Sequence, residues 1–201
     1  MVFTLTGAVS VAAQDLRIAA LGDSLTAGYG LAPGEGLVPQ LEGWLRARGH
    51  AVQVLNAGVS GDTTSGGLAR LDWTLADAPQ AMIVALGGND LLRGIDPALA
   101  RANLAAILTR LQAEGVPTLL VGLNAPGNYG PEYQAAFNAI YPDLAAAHDA
   151  LLLADLLAPI TAQGPTGLMQ ADMIHPNPAG VALVVETLGP SVEALLARIG
   201  G

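Results

Sequence analysis

From Leu16 onward the chain alternates short, continuous aliphatic runs with longer stretches in which apolar residues recur at helical spacing. The runs Leu16 to Leu21, Ala51 to Leu55, Ala81 to Leu86, Val116 to Leu123 and Ala150 to Ala154 predict five strands. They lack the in-out alternation of a half-exposed sheet, as expected of parallel strands covered on both faces. Between them, Leu37, Leu41, Trp44 and Leu45 form one helical stripe. Leu68, Leu71 and Leu75 form a second, and Leu104, Ile107, Leu108 and Leu111 a third. Asp96-Pro97 and Asn177-Pro178 each combine a capping side chain with proline at the first helical position. Gly115 closes the helix that Asp96 opens, and the last helix runs from Pro178 toward Arg198, with a break or kink expected at Gly189-Pro190. Strand and helix in alternation predict an α/β fold, a three-layer doubly wound sheet in flavodoxin-like order 2-1-3-4-5. In that order strands one and three are neighbours, so the residues just after Leu21 and just after Leu86 face one crevice at the carboxyl ends of the strands.

Composition narrows the chemistry. The chain has 201 residues, is 52% hydrophobic and 12% charged, and carries a net charge of −9. That balance supports a packed core and argues against a nucleic-acid partner. Cysteine is absent, which excludes disulfides, thiolate metal sites and a cysteine nucleophile. All basic residues are arginine, so a P-loop lysine and Schiff-base catalysis are excluded too. No uncharged apolar run reaches the roughly 18 to 20 residues of a membrane span. Met1 to Gln14 is uncharged, and Val11-Ala12-Ala13 offers the small residues of a signal-peptidase site. This predicts an export signal, a periplasmic or secreted location and mature folding from near Asp15, although a positively charged start is missing. The alternative is a frayed or docked N-terminal segment and a cytoplasmic protein.

The most unusual residues follow the predicted strands. Gly22-Asp23-Ser24 places a hydroxyl at the end of the first strand, where Ser24 reads as a nucleophile or, more plainly, as a helix N-cap. Of three histidines, His50 and His148 sit in helix-end contexts. His175 instead occupies a polar turn, Asp172-Met173-Ile174-His175-Pro176-Asn177, with a carboxylate three residues before it. Asp172 can thereby hold the imidazole edge that faces away from a serine, the arrangement that makes histidine a general base. The competing reading is a surface ion pair or half of a metal site, for which further ligands are lacking. The turns Asn56 to Thr64 and Gly87-Gly88-Asn89-Asp90 could supply oxyanion donors, a glycine amide and the Asn89 side chain, or could be turn chemistry alone. Asp23, Asp62 and Asp90 read as acceptors for turn amides, and Trp44 and Trp73 as packing residues. The polar stretch Leu123 to Tyr133 reads as one wall of a substrate pocket, with Leu123 and Tyr129 in contact with substrate.

Four blocks, Gly22-Asp23-Ser24, Gly58 to Thr63, Gly87 to Asp90 and Asp172 to Asn177, resemble those of the SGNH (GDSL) hydrolase family in order and approximate spacing. The resemblance extends from about Leu16 to the last helix. It is nearest to the bacterial group of acyl-CoA thioesterases, arylesterases and lysophospholipases, which have similar loops at Gly28-Tyr29, Gly66 to Leu71 and Asn128-Tyr129-Gly130. It implies a single hydrolase domain over residues 15–201, with Ser24 as nucleophile, His175 as base and Asp172 as its orienter. The backbone amides of Ser24 and Gly61 and the side chain of Asn89 would form the oxyanion hole. No metal or organic cofactor is expected, and the partner would be a small acyl ester or thioester of short to medium chain. A G-x-S-x-G elbow is absent, which argues against the α/β-hydrolase route to the same chemistry. A carbohydrate O-deacetylase on the same residues, or a silent flavodoxin-like module that binds a ligand at the switch point, remain as alternatives.

Overall fold

Residues 15–200 are described by a computed structural model, so the export reading on residues 1–14 lies outside the described residues. The strands are β1 (Leu16–Gly22), β2 (Val52–Gly58), β3 (Ala81–Ala85), β4 (Thr118–Val121) and β5 (Leu151–Leu153). They form one parallel sheet in the order β2-β1-β3-β4-β5, as the alternation of elements predicts. The helices are α1 (Ser24–Ala27), α2 (Leu37–Ala47), α3 (Thr64–Ala69), α4 (Leu71–Ala76), α5 (Gly88–Leu92), α6 (Pro97–Ala113), α7 (Pro131–Asn138), α8 (Ile140–Ala147), α9 (Ala158–Gln163) and α10 (Pro178–Leu196).

Successive side chains of a strand point to opposite faces, and β1 makes both cores from one aliphatic run. Ile18 and Ala20 enter a core with α2, α9 and α10, whereas Ala19 and Leu21 enter a second core with α4, α6, α7 and α8. Helices on both faces are what an unalternated apolar strand requires. Asp96 and Asn177 cap α6 and α10 through their side chains, each with proline at the helix start.

Several expectations are corrected. β2 continues through Asn56-Ala57-Gly58, because these residues pair with Ala20-Leu21-Gly22; the ladder overrides their turn preference, and the turn begins at Val59. β4 is shorter than its apolar run and starts after Pro117, which has no N–H to give the ladder. The leucine stripe at 68, 71 and 75 spans two helices, α3 and α4, that meet at Arg70. The last helix does not break at Gly189-Pro190. Pro190 faces solvent, so the carbonyl it leaves unpaired, that of exposed Glu186, is open to water. Gly189 is there for packing: a Cβ would lie 2.6 Å from the Trp44 indole. Trp44 is buried as expected, but Trp73 is 82% exposed and packs no core. α10 is long and apolar enough to cross a membrane by length and composition, yet it carries Glu186 and Glu193 and half of its apolar window is buried inside the fold.

Candidate active site

The register brings three turns level with one another, because Gly22 pairs with Gly58 on one side and with Ala85 on the other. The chain then leaves β1 into α1 through Asp23-Ser24. Asp23, not Ser24, is the N-cap: its Oδ1 accepts the Leu25 amide at 3.0 Å. The cap reading of Ser24 is thereby corrected, and the serine hydroxyl is left for another partner. α1 lies so close to β2 that a Cβ on Gly58 would come within 2.3 Å of the Ala27 nitrogen, which reserves this position for glycine.

That partner comes from the far end of the sequence. His175 Nε2 is 2.8 Å from Ser24 Oγ, and His175 Nδ1 is 2.6 Å from Asp172 Oδ2. A carboxylate only accepts, so the Nδ1 edge donates to Asp172 and Nε2 is the edge that accepts the serine proton. Asp172 Oδ1 also accepts the backbone amides of Ile174 and His175, each at 3.0 Å. These bonds, the one to the imidazole first, hold the Asp172 carboxyl down at about 2. The carboxylate therefore stays charged at neutral pH.

The His175 loop is tied to the serine loop by a residue with no local sequence signal. Gln170 donates through Nε2 to the Tyr29 carbonyl at 2.8 Å and the Pro176 carbonyl at 3.0 Å, and its backbone amide donates to the His175 carbonyl at 2.8 Å. Its Oε1 lies where a Cβ on Gly30 would stand, 2.2 Å away, so this crossing needs glycine there. The Tyr29 ring also packs on the imidazole, with centroids 4.7 Å apart.

Gly61 and Asn89 lie in the turns after β2 and β3, flanking Ser24. The Gly61 carbonyl accepts from Arg93 Nη2 at 2.8 Å. Asn89 is in the first turn of α5, and its Nδ2 lies 3.5 Å from Asp23 Oδ2, at the outer limit of a hydrogen bond. Asp23 is almost fully buried, and burial pushes its carboxyl up to about 6 against the opposing pull of the Leu25 amide and the nearby His175. Asp90 behaves as expected of a turn acceptor: buried, it takes both the amide and the hydroxyl of Thr64, at 2.8 and 2.7 Å. Asp62 does not. It pairs with Arg70 at 2.6 Å, because that guanidinium outcompetes a neutral amide. Arg70 is a second residue that sequence reasoning missed. It also donates to the carbonyls of Ala57 and Gly22, at 2.7 and 2.8 Å, and so joins the ends of β1 and β2 to the Gly61 turn. Among the described residues, no group of three or more His, Asp or Glu side chains could hold a metal ion.

Beside Ser24 and His175 opens a narrow cleft with apolar walls, lined by Leu25, Leu31, Leu37, Leu156, Val181 and Val184. Leu123 and Tyr129 are not among its lining residues. Leu123 sits against Gly88, and Tyr129 donates its hydroxyl to the Leu92 carbonyl at 3.2 Å. His50 bonds Glu193 at 2.9 Å and His148 ends α8, both remote in the fold from this cleft.

Residues 20–183 match the model of the GDSL-like Lipase/Acylhydrolase family. The chain belongs to this family. Among its members, Esterase TesA of Pseudomonas aeruginosa is 41% identical over 186 residues, covering 92% of this chain and 90% of the relative. Thioesterase 1/protease 1/lysophospholipase L1 of Escherichia coli is 36% identical, over 93% of this chain and 87% of the relative. The crystal structure of the psychrotrophic esterase EstA from Pseudoalteromonas, inhibited by monoethylphosphonate, superposes with a TM-score of 0.83 at 33% identity, covering 91% of this chain and all of the other. In this family frame, Ser24, Asp172 and His175 stand in one hydrogen-bonded line at the carboxyl end of β1.

Proposed function

We propose that this protein is a carboxylic ester hydrolase that cleaves acyl esters and thioesters of short to medium chain through an acyl-enzyme on Ser24. The observation that carries the reading is the unbroken line Asp172–His175–Ser24, with links of 2.6 and 2.8 Å. Membership of a family whose relatives are named esterase, thioesterase and lysophospholipase supports it.

Ser24 Oγ attacks the acyl carbonyl as His175 Nε2 takes its proton, and Asp172 stabilises the imidazolium that forms. The carbonyl oxygen becomes an oxyanion, held by the amides of Ser24 and Gly61 and by Asn89 Nδ2. His175 then gives its proton to the leaving alkoxide or thiolate, and the carbon–oxygen or carbon–sulfur bond breaks to leave the acyl-serine. Water repeats the sequence: His175 takes its proton, the acid leaves, and the hydroxyl of Ser24 is restored. The acyl chain would lie in the apolar cleft walled by Leu37, Val181 and Val184, a lining that favours hydrocarbon over a carbohydrate and so an acyl ester over a sugar acetate. Export belongs to the same proposal, supported by the uncharged stretch that ends in Val11-Ala12-Ala13; the mature N-terminus recovered from cells tests it.

A fluorophosphonate probe tests the chemistry. Stoichiometric labelling of Ser24 is expected, lost in Ser24→Ala and greatly slowed in His175→Ala. A folded wild-type chain that resists the probe and turns over neither p-nitrophenyl esters nor an acyl-CoA would overturn the reading in favour of a silent binding module.

A further inference from the structure

Nine large hydrophobic side chains are exposed among the described residues, and they are not scattered evenly. Six of them, Tyr29, Val59, Leu92, Tyr129, Met173 and Ile174, are on the loops and short helical turns at the carboxyl edge of the sheet, on the side of Ser24. They come from five separate stretches of chain, following β1, β2, β3 and β4 and preceding α10, so only the fold assembles them. Contacts join them in two arcs. Tyr29 packs on His175, whose own loop carries Met173 and Ile174 at its tip. On the other side the Tyr129 hydroxyl reaches the Leu92 carbonyl, and Arg93 folds back from Leu92 onto the carbonyl of Gly61, two residues from Val59. Met173 is 58% exposed with φ of +58°, a backbone conformation unfavourable for its side chain, although no core contact rewards it.

Scattered apolar side chains on a surface need no explanation, but a ring of them around one cleft marks a place where apolar matter is met. From this ring we infer that the mouth of the site docks on a neutral or zwitterionic lipid surface, from which the acyl substrate enters the cleft. The inference rests on the esterase reading above, since a surface rich in acyl esters is what such a site would have to approach. Charge selects the kind of surface. The chain has a net charge of −9 and no lysine, and the one guanidinium placed among these side chains, exposed Arg93, is bonded to the Gly61 carbonyl. An anionic bilayer would be repelled, whereas an uncharged or zwitterionic one can take the apolar ring at its interface.

Co-sedimentation of the full chain carrying Ser24→Ala with phosphatidylcholine vesicles separates binding from turnover. Binding is expected, and it should fall roughly tenfold or more in Met173→Asn/Leu92→Gln, because two apolar anchors are removed. Asparagine suits a positive φ, so the backbone at 173 is kept. Trp73→Gln, which removes the most exposed aromatic from α4, should leave binding unchanged. On a Ser24 background Leu92→Gln alone, which lies outside the Asp172–His175 loop, should hydrolyse a soluble, monomeric p-nitrophenyl ester within about twofold of wild type, which also reports that it is folded; its own loss of vesicle binding carries the test if the pair is slowed or does not fold.

Four results would overturn the docking inference while leaving the esterase reading intact, provided the monomeric ester is cleaved. They are no binding to phosphatidylcholine, binding only after phosphatidylglycerol is added, equal loss of binding in Trp73→Gln, and a dimer in solution that the paired variant dissociates. Failure of the wild-type chain on the monomeric ester would instead sink the esterase reading itself.

Discussion

The two halves of the catalytic line are held in different ways. Ser24 stands at the end of a central strand paired on both sides, over a turn that Arg70 joins to its neighbours through three acceptors. His175 hangs on an irregular loop between α9 and α10, fastened by Gln170, by the Asn177 side chain on the Gly167 carbonyl at 2.9 Å, and by one isolated bridge between Met169 and Pro176. The nucleophile is therefore positioned by the sheet and the base by a few polar bonds. Local opening has a low free energy where few buried contacts oppose it, so the histidine side should be the softer of the two. Damage there should act on geometry and rate, and damage on the serine side should extend to folding.

The most severe break falls on the loop. Asp172→Asn keeps an acceptor for the backbone amides but no longer fixes the imidazole tautomer, and kcat should fall by about 10⁴-fold with the fold intact. Burst kinetics with a p-nitrophenyl ester would read it, and a loss under tenfold would mean that Gln170 and Tyr29 suffice to orient the ring. On the frame side, Asn89→Ala should lower kcat by roughly 10² to 10³-fold with little change in KM, as for a donor used only in the transition state. A change confined to KM would move Asn89 from the oxyanion to ground-state binding.

Asp23 sharpens the comparison through stability. Its carboxyl titrates at about 6 in the fold against 3.8 when free, so the native state prefers the neutral form. Above pH 6 the buried charge destabilises the fold in full; the cost fades as pH falls from 6 to 4 and is absent below. Asp23→Asn, which can still cap α1, should raise stability at pH 7 to 8 by on the order of 2 kcal/mol and leave it unchanged at pH 4. Urea unfolding at the two pH values measures this, and an equal effect at both would assign the difference to packing.

The smallest expected effect lies at the tether. Gln170→Ala removes the bond to the Tyr29 carbonyl and should slow fluorophosphonate labelling and kcat by about tenfold, the equivalent of one hydrogen bond, with the unfolding midpoint nearly unchanged. A large loss of stability with normal labelling would make Gln170 part of the frame and erase the contrast between the halves.

Legibility in the sequence follows the same division. β1 and β3, α2, α6 and α10 were readable because a buried apolar run or stripe is a local record of a long-range fact. α7 and α8 were not, since Ala-rich segments interrupted by proline carry little period, and the loop predicted through Tyr133 in fact ends at the helix start Gly130-Pro131. Ser24, Asp172 and His175 stood out because each is a reactive or polar residue in a stretch where packing does not ask for one. Arg70 and Gln170 did not stand out, because an arginine at a helix junction and a glutamine in a loop look solvated until their partners are known. Trp73 misled for the converse reason: a tryptophan on a helix is usually packed.

The sequence by itself determined the strand order, the edge of the sheet at which chemistry gathers and the identity of the residues that gather there. These follow from hydrophobic pattern, crossover handedness and turn composition, all of which are local or topological. Only the tertiary structure decided that Ser24 and His175, 151 residues apart, meet at 2.8 Å. It alone assigned the cap to Asp23 and left six large apolar side chains exposed at the carboxyl edge of the sheet. Distances between loops depend on how packed elements carry them, and no spacing along the chain encodes that.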